Sequence, residues 1–155
     1  MSADTILGID PGTRLVGVAV LRSGIIEHQQ VMAFQGSWSL KKLKTIVRVL
    51  EKIRVGYGVA RIAMKIPDRF PTDKGFNQLI GSLNVAWKDK LSYYSFSEVK
   101  AWHCTEEKPN TAAVMKAILQ KHPALMVEYL KEQENEEPYY YKAFIAVAVA
   151  RMLWA

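Results

Sequence analysis

The sequence predicts an α/β chain built on five short strands. Three observations carry this. Residues 5–34 hold three apolar runs separated by turn residues. Further along, leucine, isoleucine and valine recur at helical spacing in several segments. Two more short apolar runs, residues 61–66 and 91–96, alternate with those helical segments.

The elements follow in order. Residues 5–9 (TILGI) form a first strand that ends at Asp10, and Pro11-Gly12-Thr13 is a turn signal. The valine-rich residues 15–21 form a second strand. Ser23-Gly24 turns the chain into a third strand over residues 25–34, completing an antiparallel meander. Leu40, Leu43, Ile46, Val47, Leu50 and Ile53 then mark a helix. Its opposite face is expected to carry Lys41, Lys42, Lys44, Arg48, Lys52 and Arg54. Those cations suit either a solvated face or phosphate contact, and the solvated face is the default reading. A fourth strand covers residues 61–66. After the loop at residues 67–72, Phe76, Leu79, Ile80 and Leu83 mark a second helix. Residues 91–96 form a fifth strand, and residues 111–120 and 139–154 form two more helices.

The whole chain narrows the function classes. Its 155 residues suffice for one domain with a sizeable core, and half of them are hydrophobic. Lys and Arg outnumber Asp and Glu by 21 to 15, a net charge of +6 that favours polyanionic partners without requiring one. A single cysteine, Cys104, excludes an internal disulfide and fits a reducing compartment. No basic-then-apolar leader opens the chain, and no apolar run reaches membrane-spanning length. The expectation is a cytoplasmic protein without a membrane partner. His28, His103 and His122 are scattered without metal-ligand spacing.

Asp10 is the one acid in "TILGIDPGTRLVGVAV". A carboxylate at the end of a central strand is costly to bury alone. It serves either as a turn-starting side chain capping the Pro11-Gly12 backbone, or as a metal- or phosphate-site residue. Sugar kinases, actin and the heat-shock ATPases open similarly, but they need two lobes and over twice this length.

"ILGIDPGTRLVGVAV" resembles the opening of the RuvC-type Holliday-junction resolvases, of the RNase H-like superfamily. "SFSEVKAWHC" (residues 95–104), with its Val99-Lys100 pair, resembles the segment after that family's fifth strand. "KAFIAVAVARML" (residues 142–153) resembles its final helix. The resemblance spans nearly the whole chain. It implies a single RNase H-like domain over residues 1–155, with a mixed five-stranded sheet and helices on both faces, acting on DNA as a homodimer.

The resemblance also implies a metal site. The family cuts DNA with two divalent ions held by four carboxylates: one on strand one, one on strand four, and two in the final helix three residues apart. Two such ions about 4 Å apart need clustered negative charge, and magnesium needs hard oxygen ligands. Here only Asp10 matches. Lys65 stands at the strand-four position, and Lys142 and Ile145 stand at the helix positions. Asp68 follows Lys65 but lies beyond Pro67. Glu136 and Glu137 precede the helix, and a charge favourable to its N-terminus is their better reading. Lys65 and Lys142 either pair with Asp10 as an ion triad or hold a backbone phosphate, and pairing is preferred because an unpaired buried lysine is costly.

For DNA contact the best loop is "DRFPTDKGF", which sets Arg69, Phe70 and Lys74 beside the cleft. Phe70 either stacks on a base or packs under its own loop. Arg14, Lys100 and Lys108 are expected on the same side. The reading is a RuvC-like nucleic-acid-binding protein, partnered by DNA that is branched or duplex, with cleavage impaired and no cofactor expected. Alternatives are an active endonuclease using Mg²⁺ or Mn²⁺ through relocated ligands, and a protein-interaction scaffold.

Overall fold

The computed structural model describes residues 4–154. Strands β1 (Thr5–Asp10), β2 (Leu15–Arg22) and β3 (Ile25–Ala33) form the expected meander. Helix α1 (Leu40–Gly56) leads to β4 (Arg61–Ile66), and α2 (Lys74–Trp87) leads to β5 (Leu91–Ser95). Helices α3 (Phe96–His103), α4 (Thr111–Lys121), α5 (Met126–Glu134) and α6 (Tyr141–Trp154) complete the chain. The strand order is β3-β2-β1-β4-β5, with β4 parallel to both β1 and β5. The sheet is therefore mixed, as expected, because each helical crossover returns the next strand in parallel.

Alternation along the strands divides the core between two faces. Leu7, Ile9, Val16, Val18 and Val20 pack with Ile46, Leu50, Leu79 and Leu83 of α1 and α2. Ile6, Ala19, Leu21 and Ala63 pack with α6 and, behind it, with Val99, Val114 and Ile118 of α3 and α4.

Two glycines set how close α6 lies. A Cβ at Gly8 would sit 1.9 Å from the Ala146 carbonyl oxygen, and one at Gly17 would sit 2.2 Å from that of Lys142. No side chain fits either gap. The bare strand surface therefore lets the helix backbone rest directly on β1 and β2. The alanines of α6 continue the same fit, and every residue from Lys142 to Ala150 is buried.

Several expectations need correction. Lys42 is not on the exposed face of α1. It lies four and eight residues before the buried Ile46 and Leu50, on their side of the helix, and its Nζ donates to the Gly36 carbonyl at 2.7 Å. Helices α3 and α5 are additional to the elements read from the sequence. The carboxylate that serves the start of α6 is Glu132, not Glu136 or Glu137. It accepts from the amides of Tyr139 (3.0 Å), Tyr140 (2.9 Å) and Tyr141 (3.0 Å). The helix accordingly begins at Tyr141 rather than Tyr139. Among the described residues no helix is long and apolar enough to cross a membrane.

Candidate functional site

β1 and β4 run in parallel with Ile9 opposite Met64, so the next residues, Asp10 and Lys65, stand side by side at the strand ends. Both side chains point to the α6 face, in phase with Gly8 and Ala63. The close seat of α6 brings its first turn to the same point. Lys65 Nζ lies 3.3 Å and Lys142 Nζ 3.4 Å from the same oxygen, Oδ1 of Asp10. Asp10 is wholly buried, while the side chains of Lys142 and Lys65 are 8% and 22% exposed.

The triad carries one more positive than negative charge. Lys142 Nζ also reaches the Pro11 carbonyl at 3.3 Å. Burial holds the Lys142 ammonium below the ordinary lysine range, Asp10 pulls it back up, and Lys65 pushes it further down. Burial raises the Tyr141 hydroxyl, and the charges of Asp10 and Glu132 add to the effect. Both ammonium contacts to Asp10 are ion pairs that fall short of hydrogen-bond geometry, and neither carboxylate oxygen has a hydrogen-bond partner among the described residues.

The donor set does not fit a pair of divalent ions. Among the described residues Asp10 is the one carboxylate at this point, and two ammonium groups crowd it. Among the described residues no three His, Cys, Asp or Glu side chains gather to hold a metal. Ile145 is buried in the apolar core beneath α6 and brings no polar atom to the site. Asp68 is engaged elsewhere: it accepts from the Ser97 amide at 2.9 Å, and this bond holds its carboxyl below the usual range.

Around the triad lie more cations. The Phe96 ring has Lys65 Nζ 5.1 Å and Lys100 Nζ 4.7 Å from its centroid, which ties α3 to the strand ends. An open cavity of about 920 Å³ adjoins Lys142, lined by Gly12, Thr13, Arg14 and Tyr139 to Tyr141.

No family model matches the chain, and no curated protein sequence does. Solved structures do. Thermus thermophilus RuvC in complex with a Holliday junction substrate superposes with a TM-score of 0.70 at 17% identity, covering 95% of this chain and 90% of that one. The fold is that of the RuvC resolvases. The yeast mitochondrial Holliday junction resolvase Ydc2 aligns over 99% of this chain and 79% of its own, with a TM-score of 0.67 and 13% identity. The fowlpox virus resolvase, solved with Holliday junction DNA, covers 96% and 98%, with a TM-score of 0.51 and 12% identity.

Within this RuvC fold the structure gathers some of the expected residues and leaves others apart. Asp10, Lys65 and Lys142 meet. Lys100 joins them through Phe96. Arg14, in the β1–β2 turn, borders the cavity beside Lys142. Arg69 and Phe70 lie in the loop after β4, and Lys74 opens α2. Phe70 is 52% exposed, with one side tilted against Phe76 at 6.4 Å, so it packs and is open at once. Lys108 is exposed in the loop between α3 and α4. Arg14, Arg69, Lys74, Lys100 and Lys108 form no ion pair with a described residue. Sequence reasoning missed Phe96, the ring linking two of these lysines, because it read this residue as the end of the fifth strand, whereas the strand stops at Ser95 and Phe96 opens α3.

Proposed function

We propose that this chain is a DNA-binding protein of the RuvC fold that does not cut its substrate, its metal centre replaced by an internal ion triad. One observation carries the reading: two lysine ammonium groups converge on a single oxygen of the buried Asp10. An ammonium group supplies positive charge but cannot activate a water as a metal does. The unpaired cations Arg14, Arg69, Lys74, Lys100 and Lys108 would contact phosphates. Phe70, half open beside Arg69, would stack on an unpaired base. The solved relatives bound to Holliday junctions support a branched substrate.

The test is a gel shift with a cleavage assay on a four-way junction, with Mg²⁺ and with Mn²⁺. The expected result is binding that weakens steeply as salt rises, because neutralised phosphates release counterions, and no cut strand with either metal. Arg69→Glu with Lys100→Glu should abolish the shift in a protein that is still folded. Metal-dependent cutting would restore the nuclease reading. Salt-independent or absent binding would leave a scaffold.

A further inference from the structure

The end of α6 remote from the triad carries a second cluster of cations. Helices α3, α4 and α6 finish there, and their last turns bring in Trp102, Lys121 and Arg151, with His122 capping α4 and Trp154 ending α6. Lys121 Nζ lies 5.1 Å from the centroid of the Trp102 ring, and the Arg151 guanidinium lies 5.6 Å from that of Trp154. A hydrogen bond from Arg151 to His122, the residue after Lys121, joins the two cation–indole pairs into one surface.

The charge of this surface is left unbalanced. Among the described residues no carboxylate forms an ion pair with Lys121 or Arg151, and Arg151 Nε has no hydrogen-bond partner. Burial and the charge of Arg151 hold the Lys121 ammonium below its ordinary range, and burial, Arg151 and Lys121 do the same to His122. The groups thus repel one another, and an incoming anion meets two full positive charges with no acid to displace. The indoles are also open: Trp102 is 46% and Trp154 41% exposed. Trp154 is held in place by the bare surface of Gly24 in the β2–β3 turn, where a Cβ would fall 2.8 Å from ring carbons.

We propose that this cluster is a second nucleic-acid site that takes a single strand, with phosphates on Lys121 and Arg151 and bases against Trp102 and Trp154. A phosphate chain alone needs only the cations, whereas exposed indoles beside them give bases a surface to stack on. A duplex keeps its bases stacked inside, so only a single strand uses both features. The fourteen-residue α6 is about 20 Å long and sets this site apart from the triad. The inference does not rest on the reading of the triad end.

The test is titration with a short oligothymidylate, read as anisotropy of the labelled strand and as quenching of tryptophan fluorescence. It is run in the Arg69→Glu, Lys100→Glu background, which removes the contacts expected at the triad end. Binding and quenching should persist there. Adding Lys121→Gln with Arg151→Gln should weaken binding at least tenfold and lower its salt slope by about 1.4, the share of two phosphate contacts on a single strand. Trp102→Leu, an exposed position, should weaken it about tenfold through lost stacking. Circular dichroism checks that each variant is folded. In an otherwise wild-type chain, Lys121→Gln with Arg151→Gln should leave the four-way-junction shift in place. Loss of oligothymidylate binding in the Arg69→Glu, Lys100→Glu background alone would overturn the proposal. So would affinity that survives Lys121→Gln with Arg151→Gln or Trp102→Leu. Displacement of the strand by polyglutamate at equal concentration would overturn it as well, and would mark an acidic protein segment as the occupant.

Discussion

The two ends of α6 hold positive charge in opposite ways. At its first turn, Lys142 and Lys65 share one buried carboxylate. At its last turn, Arg151 meets His122, Lys121 and His103 with no carboxylate paired to them among the described residues. Arg151 donates to His122 Nε2 at 3.1 Å, and His103 Nε2 contacts the Ala148 carbonyl at 2.8 Å. Lys121 and Arg151 lie 5.1 Å and 5.6 Å from the rings of Trp102 and Trp154. Helices α3, α4 and α6 all place a cation or histidine in their last turn here. Their negative dipole ends and the indole faces supply diffuse compensation, each worth about 0.3–1 kcal/mol. That suffices for groups that still reach water. It does not suffice for Lys142, which is almost wholly buried and needs a specific counter-charge. The carboxylate is thus indispensable at one end of the helix, while at the other end no single group is.

The largest effect should come from Asp10→Asn. It leaves two ammonium groups uncompensated, and unfolding in urea should show a loss of about 3–5 kcal/mol. In a four-carboxylate metal site without metal, the same change would relieve repulsion and stabilise, so the sign itself discriminates. Lys142→Met leaves Asp10 and Lys65 as a one-to-one pair and should cost about 1 kcal/mol or less.

An effect smaller than that of Asp10→Asn concerns acid. Burial holds His103 at about 4, below its ordinary 6.5. The unfolded chain therefore takes up this proton first as pH falls. Stability fully present above about 6.5 should be lost progressively down to about 4. His103→Asn should flatten that part of the pH profile of melting by about 1–2 kcal/mol, the shift being discounted for the ring's partial exposure. Smaller still is Arg151→Gln, expected to cost about 0.5 kcal/mol in the same urea assay, because rings and helix ends compensate it only weakly.

Much of the site was legible in the sequence. A lone aspartate closing a strand, with lysines where a resembling family has acids, already favoured an ion triad over a held phosphate. Its geometry depends on Gly8 and Gly17, and nothing in the strand pattern around them signals that a helix backbone rests there. Helix α3 had a readable signal that went unused: Ser95 and Glu98 form a capping box, the serine accepting from the Glu98 amide at 3.1 Å and the glutamate from the Ser95 amide at 3.0 Å. Lys42 was misplaced because charge outweighed phase in assigning the face of α1. Helix α5 and the Glu132 cap were harder to see. The apolar residues of α5 face outward, and Glu132 reaches amides seven to nine residues along only once the α5–α6 turn has formed.

A calorimetric titration of the wild-type chain with Mn²⁺ separates an ion triad at Asp10 from a metal centre at the same point. With Lys65 and Lys142 on Asp10, the expected result is no site tighter than the millimolar range and no rise in melting temperature when the ion is added. A saturable micromolar site, lost in Asp10→Asn, would contradict it.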